Sequence, residues 1–460
     1  MVVYTSTGVW EVFMRIRLIA LGLVVGGLAA GAERSVTFHK DVLPILQARC
    51  QACHRPGEVG PMPLLTYSQA RPFAKAIREA VLLKKMPPWF ADPGAGKFRN
   101  DQSLARAEVE TLKAWADTGA AEGNPREAPP ARQFVDGWQI GEPDVTIEMP
   151  KAYQVAATGT IEYTYVIIPT NFGEDRWIQS AEIRPGNRAV VHHIVGFTRE
   201  PGSKWLREYP IGEPFVPAPR PGTKRRSSDG DRLEEGTLND EWMVGYAPGM
   251  PADRFEPGQA RLLKKGADLV LSLHYTTNGK AAEDRSRVGL IFAKEPPRQR
   301  IYTLGARNNK FVIPPGAANH KVEASATLKS GVELVYLQPH MHLRGKAAEM
   351  RAVYPTGERE VLLRVPRYDF NWQLNYMPAT AKVLPKGTRI EATCVFDNSM
   401  NNPHNPDPKA EVRWGDQSWE EMAIGFFIVA FDPKIELKDL LEEQKKKDGQ
   451  EKKQVAEARR

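Results

Sequence analysis

The sequence predicts a multidomain chain, a small all-α unit followed by two all-β sandwiches, and three observations carry that prediction. The chain has 460 residues, too many for one core at a prior of about 150 residues per domain. Its hydrophobic period changes from helical spacing before about residue 124 to short β-branched and aromatic runs after it. Between them Pro125-Arg126-Glu127-Ala128-Pro129-Pro130-Ala131-Arg132 reads as a semi-rigid linker. The composition, 42% hydrophobic and 26% charged, is that of ordinary globular protein. A formal net charge of +7 is thinly spread and accompanies no Arg/Lys-rich recognition motif, so nucleic acid is not an expected partner.

Residues 1–32 form the first element. Arg15 and Arg17 precede an apolar run from Leu18 to Ala30, closed by Ala30-Gly31-Ala32, the small-x-small form of a signal-peptidase site. A cleaved signal peptide and an exported, periplasmic mature chain starting near Glu33 are expected. The run is short for a membrane span, and an uncleaved anchor is the alternative. Met14, followed by Arg-Ile-Arg, makes a better start for such a signal than Met1.

Residues 33–124 are the helical unit. Val42 to Gln47 forms one segment, and Gln69 to Lys84 carries Ala70, Phe73, Ile77 and Val81 at three-to-four spacing. Leu104 to Thr118 carries Val109, Leu112 and Trp115 before Gly119 stops it. Inside this unit stands Cys50-Gln51-Ala52-Cys53-His54. Two thiols three apart, with a histidine directly after the second, read as a c-type haem attachment site: Cys50 and Cys53 bond to the haem edge and His54 ligates iron. A zinc site would want further Cys or His at finger spacing, and a redox dithiol gains nothing from the adjacent histidine. The unit is therefore expected to be a cytochrome c domain with covalent haem c. After Lys85 comes Met86-Pro87-Pro88-Trp89. A thioether favours reduced iron and raises its potential, which makes Met86 the expected sixth ligand. Met62, also between prolines, is the rival, although close in sequence to His54; a packing methionine is the plain reading of either. Bacterial c-type haem is attached outside the cytoplasm, in agreement with export. Cys394 is left alone, so no disulfide within the chain is expected and each domain is held by its own apolar core.

Residues 125–136 are the linker, 137–297 the first sandwich and 298–433 the second, meeting near Pro296-Pro297. Tyr163 to Ile168, Ala189 to Phe197, Leu269 to Tyr275, Val332 to Leu343, Thr388 to Phe396 and Ala423 to Phe431 are the strand candidates. Between Arg199 and Gly245 a Pro, Gly and charge-rich excursion with Lys224-Arg225-Arg226 reads as mobile surface. The tail, 434–460, is nearly all charge and reads as a solvated helix or disorder.

Nine histidines in the chain make two clustered pairs uncommon by chance, and histidine is the commonest metal-ligating side chain. In His340-Met341-His342 a strand puts both histidines on one face and turns Met341 away. Along Leu269 to His274 the leucines 269, 271 and 273 line one face and His274 leaves by the other. Adjacent His192 and His193 cannot share a strand face, so a site using both needs a bulge or a turn. His39, His320 and His404 stand apart, the last in a turn-rich loop that reads as surface.

In order along the chain, Val191-His192-His193-Ile194-Val195-Gly196-Phe197, Leu273-His274-Tyr275, Gln338-Pro339-His340-Met341-His342-Leu343-Arg344-Gly345 and Trp414-Gly415-Asp416-Gln417-Ser418-Trp419-Glu420-Glu421-Met422 resemble the copper motifs of the type II ascorbate-dependent monooxygenases. The resemblance covers about residues 137 to 433. It implies two jelly-roll domains, each holding one of two copper ions, across an open cleft. It also implies that His192, His193 and His274 hold the electron-transferring copper, and His340, His342 and Met422 the copper that binds oxygen and substrate. Ligand chemistry agrees: three imidazoles serve copper in both oxidation states, and a His-His-thioether set favours Cu(I). The chain departs from the disulfide-rich animal enzymes in its cysteines. It also has Gln338 where the peptide-amidating member has a substrate arginine, and Phe426 where that member has a tyrosine, so the resemblance does not extend to peptide amidation.

The expected function is a periplasmic copper monooxygenase with a built-in electron donor. A small organic substrate and O2 are its expected partners, with a soluble cytochrome or other periplasmic reductant feeding the haem. The alternatives are an electron-transfer or copper-binding protein that hydroxylates nothing, and a structural or adhesive sandwich protein whose histidines bind no metal.

Overall fold

The computed structural model describes residues 35–217 and 241–442. The expected leader, the Lys224-Arg225-Arg226 stretch and the tail beyond residue 442 lie outside the described residues. Among the described residues no helix is long and apolar enough to cross a membrane.

Helices α1 (Leu43–Arg49), α2 (Tyr67–Ala70), α3 (Ala74–Leu82) and α4 (Arg106–Asp117) build the N-terminal unit. The single helix expected over 69–84 is interrupted. Its second half begins only after a 3-10 turn at Arg71–Phe73, because Pro72 has no N–H to give and its ring crowds the preceding turn. Helix α4 ends before Gly119, which takes φ of +94°, a left-handed conformation that glycine adopts without Cβ strain. Phe38, Leu46, Leu112 and Trp115 are fully buried and anchor one apolar core. The linker is not free, since its Pro130 carbonyl accepts from Gln47 of α1 at 3.0 Å.

Beyond the linker the sandwich strands are β1 (Val145–Glu148), β2 (Thr164–Pro169), β3 (Arg176–Arg184), β4 (Val191–Arg199), β5 (Trp242–Tyr246), β6 (Gln259–Leu263), β7 (Asp268–Tyr275) and β8 (Arg287–Phe292). The second set is β9 (Gln299–Asn308), β10 (His320–Thr327), β11 (Val332–His340), β12 (Gly345–Val353), β13 (Arg359–Val365), β14 (Lys382–Leu384), β15 (Arg389–Phe396) and β16 (Ala423–Phe431). Four-stranded sheets in the orders β2-β7-β4-β5 and β10-β15-β12-β13 form one layer of each half. The opposite layers are not separate. They join in one sheet of order β1-β8-β3-β6-β9-β16-β11-β14, with Asp253–Arg254 pairing on β3. The joint is a short parallel ladder, Gln299 opposite Gln259 and Arg300 opposite Ala260.

Two expectations about loops are corrected. The excursion after Arg199 is packed in its described parts: Trp205, Leu206, Tyr209 and Phe215 close over Ile167 and Val270, and Trp242–Tyr246 is strand β5. Arg199 itself is buried, with Nη2 2.7 Å from Asp268. The start of the tail is likewise anchored, since Leu440 is fully buried and Ile435, Leu437 and Leu441 pack against the second core. In both, a few apolar side chains bury themselves inside a stretch whose average is polar.

The helical unit docks on both halves. Trp89 and Phe98 form an aromatic cluster with Tyr376, at centroid distances of 5.0 and 5.5 Å, and Phe90 enters the second core. Asp92 pairs with Arg364 at 3.2 Å. On the first half, Glu58 pairs with Arg188 at 3.3 Å.

Candidate metal centres

A bulge makes the first centre. Strand β4 slips register against β7 between Val191 and His193, so two successive side chains reach the same side, as the adjacent histidines require. His193 then stands directly opposite His274. One ligand atom from each of His192, His193 and His274 lies within 4.8 Å of the others. The Nδ1 atoms of His192 and His193 are 2.9 Å apart, and those of His274 and His192 are 3.2 Å apart. Three imidazole nitrogens at about 2.0–2.1 Å from one ion would sit at such separations.

Burial decides the protonation of these rings. His192 is pulled down to about 4 and His274 to about 3, in each case by desolvation first, and His193 falls well below its ordinary value for the same reason. All three are neutral at pH 7 and offer lone pairs, which metal ligation requires. Tyr163 fixes two of them. Its hydroxyl lies 3.1 Å from His193 Nε2, and its ring stacks on His274 at 4.7 Å and 10°. With Nε2 so engaged, Nδ1 of His193 is the free ligand atom.

The second pair has the opposite arrangement. Strand β11 ends at His340, so His342 lies just past it, yet the two rings meet at 5.2 Å. Met341 between them is fully buried in the second core, with its backbone clamped by the Tyr368 hydroxyl, which accepts from its N–H and donates to its carbonyl. His340 Nδ1 donates to Gln373 Oε1 at 2.8 Å, and His342 Nδ1 to the Glu420 carbonyl at 3.1 Å. Both Nε2 atoms are thereby left for a metal. Burial lowers the proton affinity of both rings. Met422 is buried and immediately precedes β16, whose Ile424 pairs with His340. The register therefore sets Met422 across from the His340-Met341-His342 segment. Glu421, fully buried, accepts from the backbone N–H groups of His342 and Arg344 at 2.8 and 2.6 Å and so ties that segment to the methionine loop.

Phe370 stands between the two groups. Its ring lies 5.3, 6.2 and 5.9 Å from His192, His193 and His274, and 6.0 Å from His342. One aromatic side chain thus touches both sets, and they form a single compartment at the junction of the sandwiches.

In the helical unit, the Cys50 to His54 turn is compact. The Cys53 and His54 amides bond back to the Cys50 carbonyl, and His54 Nδ1 donates to the Met62 carbonyl at 3.1 Å. That bond orients the ring and leaves Nε2 as the nitrogen that could serve a metal. The Met62 backbone lies on the Nδ1 side of the ring. Met86 is half-buried where the chain leaves α3. Burial pushes the Cys50 thiol up to about 12, and the Cys53 thiol up as well, as for sulfurs in an apolar setting. His39, His320 and His404 stay apart from these groups, and His404 is exposed.

Tyr163, Phe370, Gln373 and Glu421 are the members of this compartment that the ligand motifs do not announce. Tyr163 opens a predicted strand and Glu421 adjoins Met422, so both were within reach of the sequence. Phe370 and Gln373 lie in a loop without any pattern.

No curated protein matches the chain. Among solved structures, the structure of infectious bursal disease virus Gx strain is 12% identical over 65% of this chain and 74% of its own, with a TM-score of 0.17. The VP2 subviral particle of infectious bursal disease virus is 10% identical over 63% and 73%, with a TM-score of 0.18. Scores so low carry no structural argument. Residues 298–447, the stretch that holds His340, His342 and Met422, match the family model for the copper type II ascorbate-dependent monooxygenase C-terminal domain, which supports an oxidoreductase of the copper-dependent monooxygenase class.

Proposed function

We propose that this protein is an exported haem c- and copper-containing monooxygenase that hydroxylates a C–H bond of a small organic substrate with O2. One observation carries the reading: the ligand atoms of His192, His193 and His274 gather within 4.8 Å, and His342 of the second pair shares the Phe370 ring with them. Cys50, Cys53 and His54, with Met86 as sixth ligand, would hold a haem able to take electrons from a soluble cytochrome or other periplasmic reductant. His192, His193 and His274 would hold an electron-transferring copper, and His340, His342 and Met422 the copper that serves oxygen and substrate. The sum is balanced: R–H, O2, two electrons and two protons give R–OH and water.

The bound metals supply one-electron transfer and oxygen activation. The chain's own residues do the rest. Desolvation keeps five imidazoles neutral, Gln373 and the Glu420 carbonyl fix which nitrogen of His340 and His342 is free, and Tyr163 does so for His193. The thioether of Met422 favours the reduced ion. Phe370 packs its ring against both groups of histidines.

Metal analysis of copper-loaded protein is expected to give two coppers and one iron per chain. Changing Met422 to Ala should leave the three-histidine copper in place and lower substrate-dependent oxygen uptake on the order of 100-fold. Undiminished uptake in that variant would overturn the proposal. Two redox-active coppers without oxygen uptake on any organic substrate would leave the electron-transfer reading instead.

A further inference from the structure

Just after the Cys50 to His54 turn, the helical unit meets the first sandwich through an ion pair. Glu58, four residues after His54, holds two arginines in its carboxylate: Arg55 of its own turn at 2.9 Å and Arg188 of the sandwich at 3.3 Å. Both side chains of the Glu58–Arg188 pair are largely buried, 12% and 17% exposed, so solvent screens this pair less than an exposed one. The Arg188 guanidinium stacks over the ring of Tyr246 at 5.4 Å. Tyr246 is 8% exposed and its hydroxyl makes no well-formed hydrogen bond. Cys53, the second expected haem thioether, stands five residues before Glu58 in the same stretch of chain, its carbonyl accepting from the Gly60 N–H at 3.0 Å.

The same two sandwich residues lead to the first metal centre. Arg188 sits on a turn whose Asn187 amide is held by Asp284 at 2.9 Å, and that turn opens onto β4, with His192 four residues on. Tyr246 pairs across β5 and β4 with Ile194, the neighbour of His193. From Tyr246 to the first centre the path is one rung of a β-ladder and one residue of chain.

We infer that Glu58, Arg188 and Tyr246 form the electron-delivery contact, holding the Cys53 edge of the attached haem against the strand pair that carries His192 and His193. This rests on the relay in the reading above. Arg188 and Glu58 are positioning residues. The step is a single electron: ferrous haem becomes ferric, Cu(II) at the three histidines becomes Cu(I), and no proton moves.

The test uses full-length, haem- and copper-loaded protein without oxygen or substrate. Haem is reduced, and the loss of its reduced band is followed together with the loss of the Cu(II) signal. Arg188→Glu should slow this transfer roughly tenfold or more through misplacement of the haem edge. The double reversal, Glu58→Arg with Arg188→Glu, should restore most of it, the signature of a direct pair. Arg188→Gln, milder for folding, should slow it several-fold. Transfer at the wild-type rate in both single variants overturns the contact, as does a wild-type protein in which Cu(II) never oxidises the haem. Wild-type transfer with the expected slowing, but no hydroxylation of any substrate, would support the contact and sink the monooxygenase reading alone.

Discussion

Tyr163 supports the first candidate centre through three contacts. Its hydroxyl holds His193, its ring backs His274, and its amide donates to Gln417 Oε1 of the second half at 3.3 Å. Changing it to Phe keeps the stacking surface but leaves a buried imidazole N–H without a partner, a loss of about 1–3 kcal/mol. Copper affinity at the three-histidine site should fall by roughly 10-fold or more, as for other groups that orient a ligand. Competition titration against a chelator of known affinity measures this, and the His340–His342 site serves as the internal control. An unchanged affinity would mean that the hydrogen bond orients nothing. The candidate histidines themselves were legible because paired histidines are rare and because extended chain has a period of two. Their supports were not, since a tyrosine opening a strand has many ordinary uses and only a 3.1 Å contact distinguishes this one.

At the level of elements, both histidine pairs depend on a departure from regular strand. The need for an irregularity at His192 and His193 follows from pleat geometry alone, and β4 supplies it as a bulge. For His340 and His342 the alternation persists, although β11 ends between them and the Tyr368 hydroxyl, not the ladder, carries Met341. Gly345 shows how tightly that turn is built. A Cβ there would meet the Tyr368 ring at 2.7 Å and Met341 at 2.8 Å, so glycine is the residue that fits. Glu421 closes the element by accepting from both His342 and Arg344. Changing Glu421 to Ala leaves two buried N–H groups unmet and should lower stability by about 2–5 kcal/mol. Denaturant titration reports that loss, and copper analysis should show the second site emptied before the first. Equal loss from both sites would mean that Glu421 serves the fold at large. The helix expected over 69–84 erred for a local reason: the three-to-four spacing was real, and Pro72 broke the backbone beneath it.

For the whole molecule, the joined sheet is what ties the two sandwiches together. Pro296-Pro297 reads as the joint between independent sandwiches, and nothing in a hydrophobic pattern announces a parallel ladder between β6 and β9. Charged residues at that seam also misdirect the sequence reader, because charge usually marks surface. Here Glu241 bridges Arg261 at 3.4 Å and Arg300 at 3.0 Å, Arg261 is fully buried, and the Tyr336 hydroxyl donates to Asp253 at 3.4 Å. Asp253 is 2% exposed, its Oδ2 has no partner, and burial raises it from 3.8 to about 6 despite Arg261. Between those two pH values the unfolded chain has released this proton while the folded protein still holds it. The unfolded state then binds fewer protons, so this group's contribution to stability is full below about pH 4 and is lost as pH rises through about 6. The size is up to about 3 kcal/mol. Asp253→Asn removes the titration, so the difference in urea stability between wild type and variant should change steadily from pH 4 to pH 6 and level off above it. Parallel profiles across that window would show that Asp253 is ionised in the folded seam, with Arg261 as its full counter-charge.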